Sequence, residues 1–195
     1  MKNTILILIS LLFLTGCSNK YVEVIKESPY TERVWETYKN GRDGQKKKEI
    51  YYKEGKLDGL ATTWYENGQK SGEVNLKDGK GDGLFTTWYE NGQKKGEVNY
   101  KNGKEEGLWT GWYENGQKEF EGNLKDGKRE GLRTEWYDNG EKKSEINFKN
   151  GKKNGLYTDW YENGQKESEK NYKNGKLDGL LIGWYENGQK MGEVN

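Results

Sequence analysis

Three sets of residues in this 195-residue chain could do chemistry, and two of them recur at a fixed spacing. Glu73, Glu97, Glu121, Glu145, Glu169 and Glu193 lie 24 residues apart. Two carboxylates about 5–10 Å apart can cleave a glycosidic bond, and equivalent residues two strands apart in a sheet lie about 10 Å apart. An open column of identical glutamates has no cleft, so the expectation is a salt-bridge ladder with the many lysines. Adjacent Trp-Tyr pairs, among them Trp112-Tyr113 and Trp136-Tyr137, recur with the same period. Such rings can stack on sugars or cage a quaternary ammonium ion. The third set is a single cysteine, Cys17. The chain has no His, which excludes a Ser-His-Asp triad, a Cys-His pair and a His metal site. One Cys makes neither an internal disulfide nor a zinc cluster. Turns such as Lys77-Asp78-Gly79-Lys80 set one acid between two lysines, unlike a calcium loop with its clustered oxygen ligands. The chain is expected to be non-enzymatic and to need no metal or cofactor.

Charge and composition narrow the field further. With 33 Lys+Arg against 32 Asp+Glu the formal net charge is +1, whereas a nucleic-acid binder should be basic. Only 30% of residues are hydrophobic, a composition that leans toward disorder. Near-zero net charge and 13% aromatics oppose that reading.

Cys17 sits in an address. After Lys2, an apolar run from Ile5 to Leu14 is broken only by Ser10. It is too short to span a bilayer and fits the apolar region of a secretory signal. It leads into Leu14-Thr15-Gly16-Cys17, which resembles the lipobox of bacterial lipoproteins. The resemblance implies cleavage before Cys17, lipidation of Cys17 and an exported, membrane-anchored protein of the cell envelope. Ser18 implies release from the inner membrane where the source has an outer one. Residues 1–16 are then the signal peptide, 17–37 the lipidated Cys and a tether, and 38–195 the folded domain.

The positioning elements come from one unit written many times. Trp64, Trp88, Trp112, Trp136, Trp160 and Trp184 are spaced by 24 residues without exception. Five full units, a partial sixth and a degenerate one at Tyr38-Lys39-Asn40-Gly41 make up the domain; a fixed period of this kind has to be recognised before any element is assigned. Each unit carries two turn signals, as in Asn67-Gly68 and Asp78-Gly79. Between them residues alternate with period two. The fold class is all-β, an elongated single-layer antiparallel meander of stacked hairpins. A three-residue loop with a Gly bulge is expected at both turns, pairing Tyr65 with Gln69. Leu60, Thr62 and Trp64 are then expected to share a face with Gly72, Val74 and Leu76, leaving the Tyr, Glu and Asn columns opposite.

Gly-Leu-x-Thr-x-Trp-Tyr-Glu-Asn-Gly-Gln-Lys with Asn-Tyr-Lys-Asn-Gly-Lys, as in Gly107–Lys118 and Asn99–Lys104, resembles the bacterial variant of the MORN repeat over about residues 38–195. The resemblance implies an extended antiparallel sheet of hairpins. Many bacterial members are described as the antitoxin of a toxin–antitoxin system, which implies a toxin-like protein partner. The Trp-Tyr pairs are also similar to choline-binding cell-wall repeats, which gives a second expectation, glycan or choline-type binding through Trp112, Tyr113, Trp136 and Tyr137.

Positions that change while the scaffold stays fixed are the candidates for recognition. One column reads Ala61, Phe85, Trp109, Arg133, Tyr157, Leu181. Large aromatics and Arg are the composition of protein-binding hot spots, so Phe85, Trp109, Arg133 and Tyr157 are expected to form a partner-binding stripe, against the plainer expectation that they pack within a curled sheet. The last strand offers an unpaired edge, with Met191 and Val194 as contacts for self-association. The sequence points to a lipid-anchored scaffold that binds a protein partner and no nucleic acid.

Overall fold

The computed structural model describes residues 18–24, 32–38 and 44–195. The signal peptide, Cys17, the Pro29 stretch and the turn of the degenerate unit lie outside them. All regular structure among the described residues is β. The strands are β1 Ser18–Val24, β2 Glu32–Tyr38, β3 Lys46–Lys53, β4 Lys56–Leu57, β5 Gly59–Trp64, β6 Lys70–Lys77, β7 Lys80–Trp88 and β8 Lys94–Lys101. They continue as β9 Lys104–Trp112, β10 Lys118–Lys125, β11 Lys128–Trp136, β12 Lys142–Lys149, β13 Lys152–Trp160, β14 Lys166–Lys173, β15 Lys176–Trp184 and β16 Lys190–Val194. They form one antiparallel sheet in chain order, with the two-residue β4 pairing with β3 off the main path. Contacts divide the described residues into two compact units, those up to 93 with 100–103, and residues 94–99 with 104–195.

In the first unit the sheet starts within the segment expected to be a tether: β1 pairs with β2 from Ser18↔Tyr38 to Val24↔Glu32. The hairpin of β5 and β6 has the expected three-residue loop. Tyr65 N–H donates to the Gln69 carbonyl at 2.8 Å, and Gly68 N–H donates to the Tyr65 carbonyl at 3.0 Å. Gly68 sits at φ +88°, a conformation glycine adopts at no steric cost. The second turn departs from expectation. Lys77 pairs with Lys80, leaving two loop residues, Asp78 at φ +49° and Gly79 at φ +79°. That is a type I′ turn, whose twist matches its flanking strands and whose left-handed positions suit Asp or Asn followed by Gly.

Two turns of unequal length would invert the faces at every repeat, and an added residue prevents it. Trp64 pairs with Lys70, but Thr63 pairs with Gly72, so Ser71 is an extra residue in β6. This β-bulge reverses the expected grouping. Val74 and Leu76 lie on the face of Ala61 and Thr63, opposite Ala61 and Gly59. Glu73 and Asn75 lie on the face of Leu60, Thr62 and Trp64, opposite Thr62 and Leu60. A second irregularity, between Val74↔Phe85 and Leu76↔Gly81, shifts the register by two and leaves the faces as they are.

The second unit repeats this plan. Thr110, Glu121, Thr134, Glu145, Thr158 and Glu169 follow one another across neighbouring strands as one ladder. Leu124, Ile146 and Phe148 are buried on the other face, and Thr110, Thr134 and Thr158 on the ladder face. No large side chain among the described residues is fully buried. The stability of such a sheet has to come from contacts between successive repeats.

Candidate functional site

The bulge sorts the side chains into a constant face and a varied face. On the constant face Lys70 and Glu73 form an ion pair. Residues three apart in an unbroken strand point to opposite sides; the extra Ser71 is what brings these two together. The pair recurs as Lys94–Glu97 at 2.5 Å, Lys118–Glu121 at 2.6 Å and Lys142–Glu145 at 3.2 Å. Each lysine also lies over the tryptophan ring of the next repeat, as Lys70 over Trp88 at 5.7 Å, Lys118 over Trp136 at 5.8 Å and Lys142 over Trp160 at 5.2 Å. The constant Trp, Lys and Glu columns therefore satisfy one another.

The Trp-Tyr pairs expected to hold a ligand are divided between partners. Lys94 lies over Trp112 and Lys118 over Trp136. Tyr113 and Tyr137 instead donate their hydroxyls to the main-chain carbonyls of Trp136 and Trp160, at 2.8 and 2.7 Å. Burial, and then the carboxylates of Glu119 and Asp138, push the Tyr113 phenol above its usual range.

The varied face carries the candidate column. In the first unit Phe85, half-buried, lies opposite Val74 and meets Tyr100 edge-on at 6.1 Å. With Val74, Leu76 and Gly81 they line an open apolar hollow of about 220 Å³. Gly81 makes room for it, because a Cβ there would come within 3.1 Å of the Tyr100 ring.

In the second unit Trp109, Arg133 and Tyr157 are all half-buried. Trp109 packs on Phe120 at 4.4 Å between ring centroids. The Arg133 guanidinium lies 4.4 Å from the Phe120 ring and 5.1 Å from that of Trp109. Its Nε and Nη2 donate to Glu135 Oε1 at 2.8 Å, while Nη1 is buried without a hydrogen-bond partner. Glu135 accepts from Ser144 Oγ at 3.3 Å. Asp159 accepts from Ser168 Oγ at 2.8 Å and from Lys170 Nζ at 3.3 Å. Tyr157 lies edge-on to Tyr172 at 6.0 Å. Burial, and then its hydrogen bond to Asp159, push the Tyr157 phenol well above its usual range.

Sequence reasoning singled out Trp109, Arg133 and Tyr157 but missed Phe120, Glu135 and Asp159. Their signal was the same one, variation between repeats: Thr87, Gly111, Glu135 and Asp159 form one such column, and Gly96, Phe120, Ser144 and Ser168 another. The arrangement offers half-buried aromatic rings, an oriented guanidinium and part-buried ion pairs.

Residues 57–78, 81–102, 105–126, 129–150, 153–174 and 177–195 match the family model described as MORN repeat variant. Among curated proteins there is no match.

Proposed function

Because the chain belongs to the MORN repeat variant family, we propose that it is a non-enzymatic scaffold that captures a partner protein on its varied face. One observation carries this reading. The repeats keep their Trp, Lys and Glu columns on one face and place large, changing residues, Phe85, Trp109, Arg133 and Tyr157, on the other. A face needed only for packing is best served by one residue repeated; a face that reads a partner needs a different residue at each step. The apolar hollow beside Phe85 suits a partner's apolar side chain. The lipobox-like sequence at Cys17 supports anchoring to the cell envelope, and the family resemblance supports a toxin-like partner that is neutralised by being held.

The test is capture from the native envelope with the full chain and with a Phe85→Ser/Trp109→Ser variant. The variant should lose the partner while its far-UV spectrum stays unchanged; undiminished capture would refute the proposal. Glycan binding through Trp112, Tyr113, Trp136 and Tyr137 has less support, since those rings and hydroxyls already have lysine and carbonyl partners.

A further inference from the structure

The two-residue turns of the second unit carry a charge that their backbone does not require. Lys125 pairs directly with Lys128, Lys149 with Lys152 and Lys173 with Lys176. Like charges placed opposite each other destabilise a hairpin. Residues 125–130, 149–154 and 173–178 hold eight basic and three acidic side chains, a net +5 in a chain whose formal total is +1.

Three of these five charges trace to acids replaced by amides, and Arg129 and Lys153 supply the rest. Lys104 pairs with Asp126 of the following turn at 3.1 Å, and this holds the Asp126 carboxyl below its usual range. One and two repeats on, Asn150 and Asn174 occupy the position of Asp126, so Lys128 and Lys152, the equivalents of Lys104, have no carboxylate at that place. Asn150 and Asn174 sit at φ +51° and +52°, and Asp126 sits at +51°. Aspartate would therefore fit the backbone and neutralise the lysine. A third amide, Asn154, stands where the preceding repeat has Glu130. Glu130 Oε2 accepts the Asn150 N–H at 2.7 Å, whereas Asn154 Oδ1, in the equivalent place, accepts the Asn174 N–H at only 3.5 Å. Three times the second unit has an amide where an acid would serve the fold as well or better.

We propose that this row of hairpin ends docks an acidic segment of the partner protein. The inference rests on the protein-binding reading above and adds the partner's charge and the edge it meets. Successive hairpin ends lie about 10 Å apart, roughly three residues of extended chain, so one acid in every three partner residues would meet each step. Arg129 and Lys153 carry the positive charge onto the varied face, where Arg129 lies 5.2 Å from the Phe148 ring and Lys153 lies 4.2 Å from that of Tyr157. A ligand meeting both features needs acidic and apolar groups side by side. A polypeptide can set both within each three-residue step, at the spacing of the hairpin ends.

The probe is a fluorescein-labelled peptide of five Glu-Ser-Leu triplets, titrated against the full chain by anisotropy at low salt. The full chain should bind it, and Asn150→Asp/Asn154→Asp/Asn174→Asp should bind it about tenfold more weakly, in line with three modest surface charge interactions. Asn102→Asp, which adds an acid to a turn of the first unit, should leave binding unchanged. Equal binding by the triple variant, or equal weakening by Asn102→Asp, overturns the proposal. So does a peptide that fails to bind while phosphatidylglycerol vesicles or a single-stranded oligonucleotide bind instead. If the peptide arm fails while Phe85→Ser/Trp109→Ser still loses the captured partner, the basic edge falls and the protein-binding reading stands.

Discussion

The phenol of Tyr137 donates a hydrogen bond to the main-chain carbonyl of Trp160, one repeat further on, at 2.7 Å. The same bond joins Tyr113 to Trp136 and Tyr161 to Trp184, each at 2.8 Å. Beside it, Asn139 accepts from Glu141 N–H within its own turn and donates to the Glu162 carbonyl of the next. The three-residue turns at Tyr113, Tyr137 and Tyr161 are thus both closed and tied to their successors. Tyr137→Phe removes the bond and leaves the ring. It should lower stability by about 1 kcal/mol, the net worth of a typical intramolecular hydrogen bond. Urea unfolding of the variant measures this, and a change within error would show that the bond does not couple the repeats.

The same tyrosines make the fold sensitive to alkali. Burial raises the phenols of Tyr113, Tyr137 and Tyr157 in the folded chain, while in the unfolded chain they titrate near their ordinary value of about 10. A raised folded value means that the native state holds its protons longer. The contribution is fully present below about pH 10 and is lost as the pH climbs through the folded values. Thermal midpoints should therefore be flat up to about pH 9.5 and fall above it. Tyr113→Phe/Tyr137→Phe should flatten that fall, whereas an equally steep fall in the double variant would assign it to other groups.

The period, the strand class and the three-residue loop at Tyr65 and Gln69 were legible in the sequence because each rests on local chemistry: a fixed spacing, alternation and an Asn-Gly signal. The faces were not. Their assignment depends on Ser71, a single extra residue in β6, and the bulged positions have no constant residue; Ser71, Glu119, Lys143 and Glu167 fill four of them. A trace was present all the same. Lys70 and Glu73 are constant and three apart, a spacing at which a regular strand would separate them. The varied column at Phe85, Trp109, Arg133 and Tyr157 was visible, but its partners at Phe120, Glu135 and Asp159 depended on the register that the bulge sets.

Lys142 has two partners, Glu145 at 3.2 Å and the Trp160 ring at 5.2 Å. Lys142→Ala should cost about 1 kcal/mol, since an exposed ion pair and an exposed cation–π contact each contribute about half that. Lys142→Met keeps the stem over the ring and should recover part of the loss. Unfolding of both variants at low salt and in 1 M salt separates the two contributions, because salt screens the ion pair. If Lys142→Met is as unstable as Lys142→Ala at either salt, the lysine stem does not pack on Trp160.

Phe120 and Gly111 are cross-strand partners whose sizes are matched. A Cβ at Gly111 would lie within 3 Å of three Phe120 ring atoms, and the ring cannot retreat because Trp109 and Arg133 press on it. Where the equivalent of Phe120 is small, its partner is larger: Ser144 faces Glu135 and Ser168 faces Asp159. Gly122 also stands where other repeats have Val74, Val98 or Ile146, and a Cβ there would come 3.2 Å from Arg133 Cβ. Gly111→Ala should therefore destabilise the chain by about 1–3 kcal/mol, as overpacking does. Phe120→Ser alone should also destabilise it, because Trp109 and Arg133 lose their support. The double variant Gly111→Ala/Phe120→Ser should be more stable than the sum of the two single effects allows, a coupling that a double-mutant cycle reads directly. Strict additivity would mean that the two positions are sized independently and that the varied face is not packed as a unit.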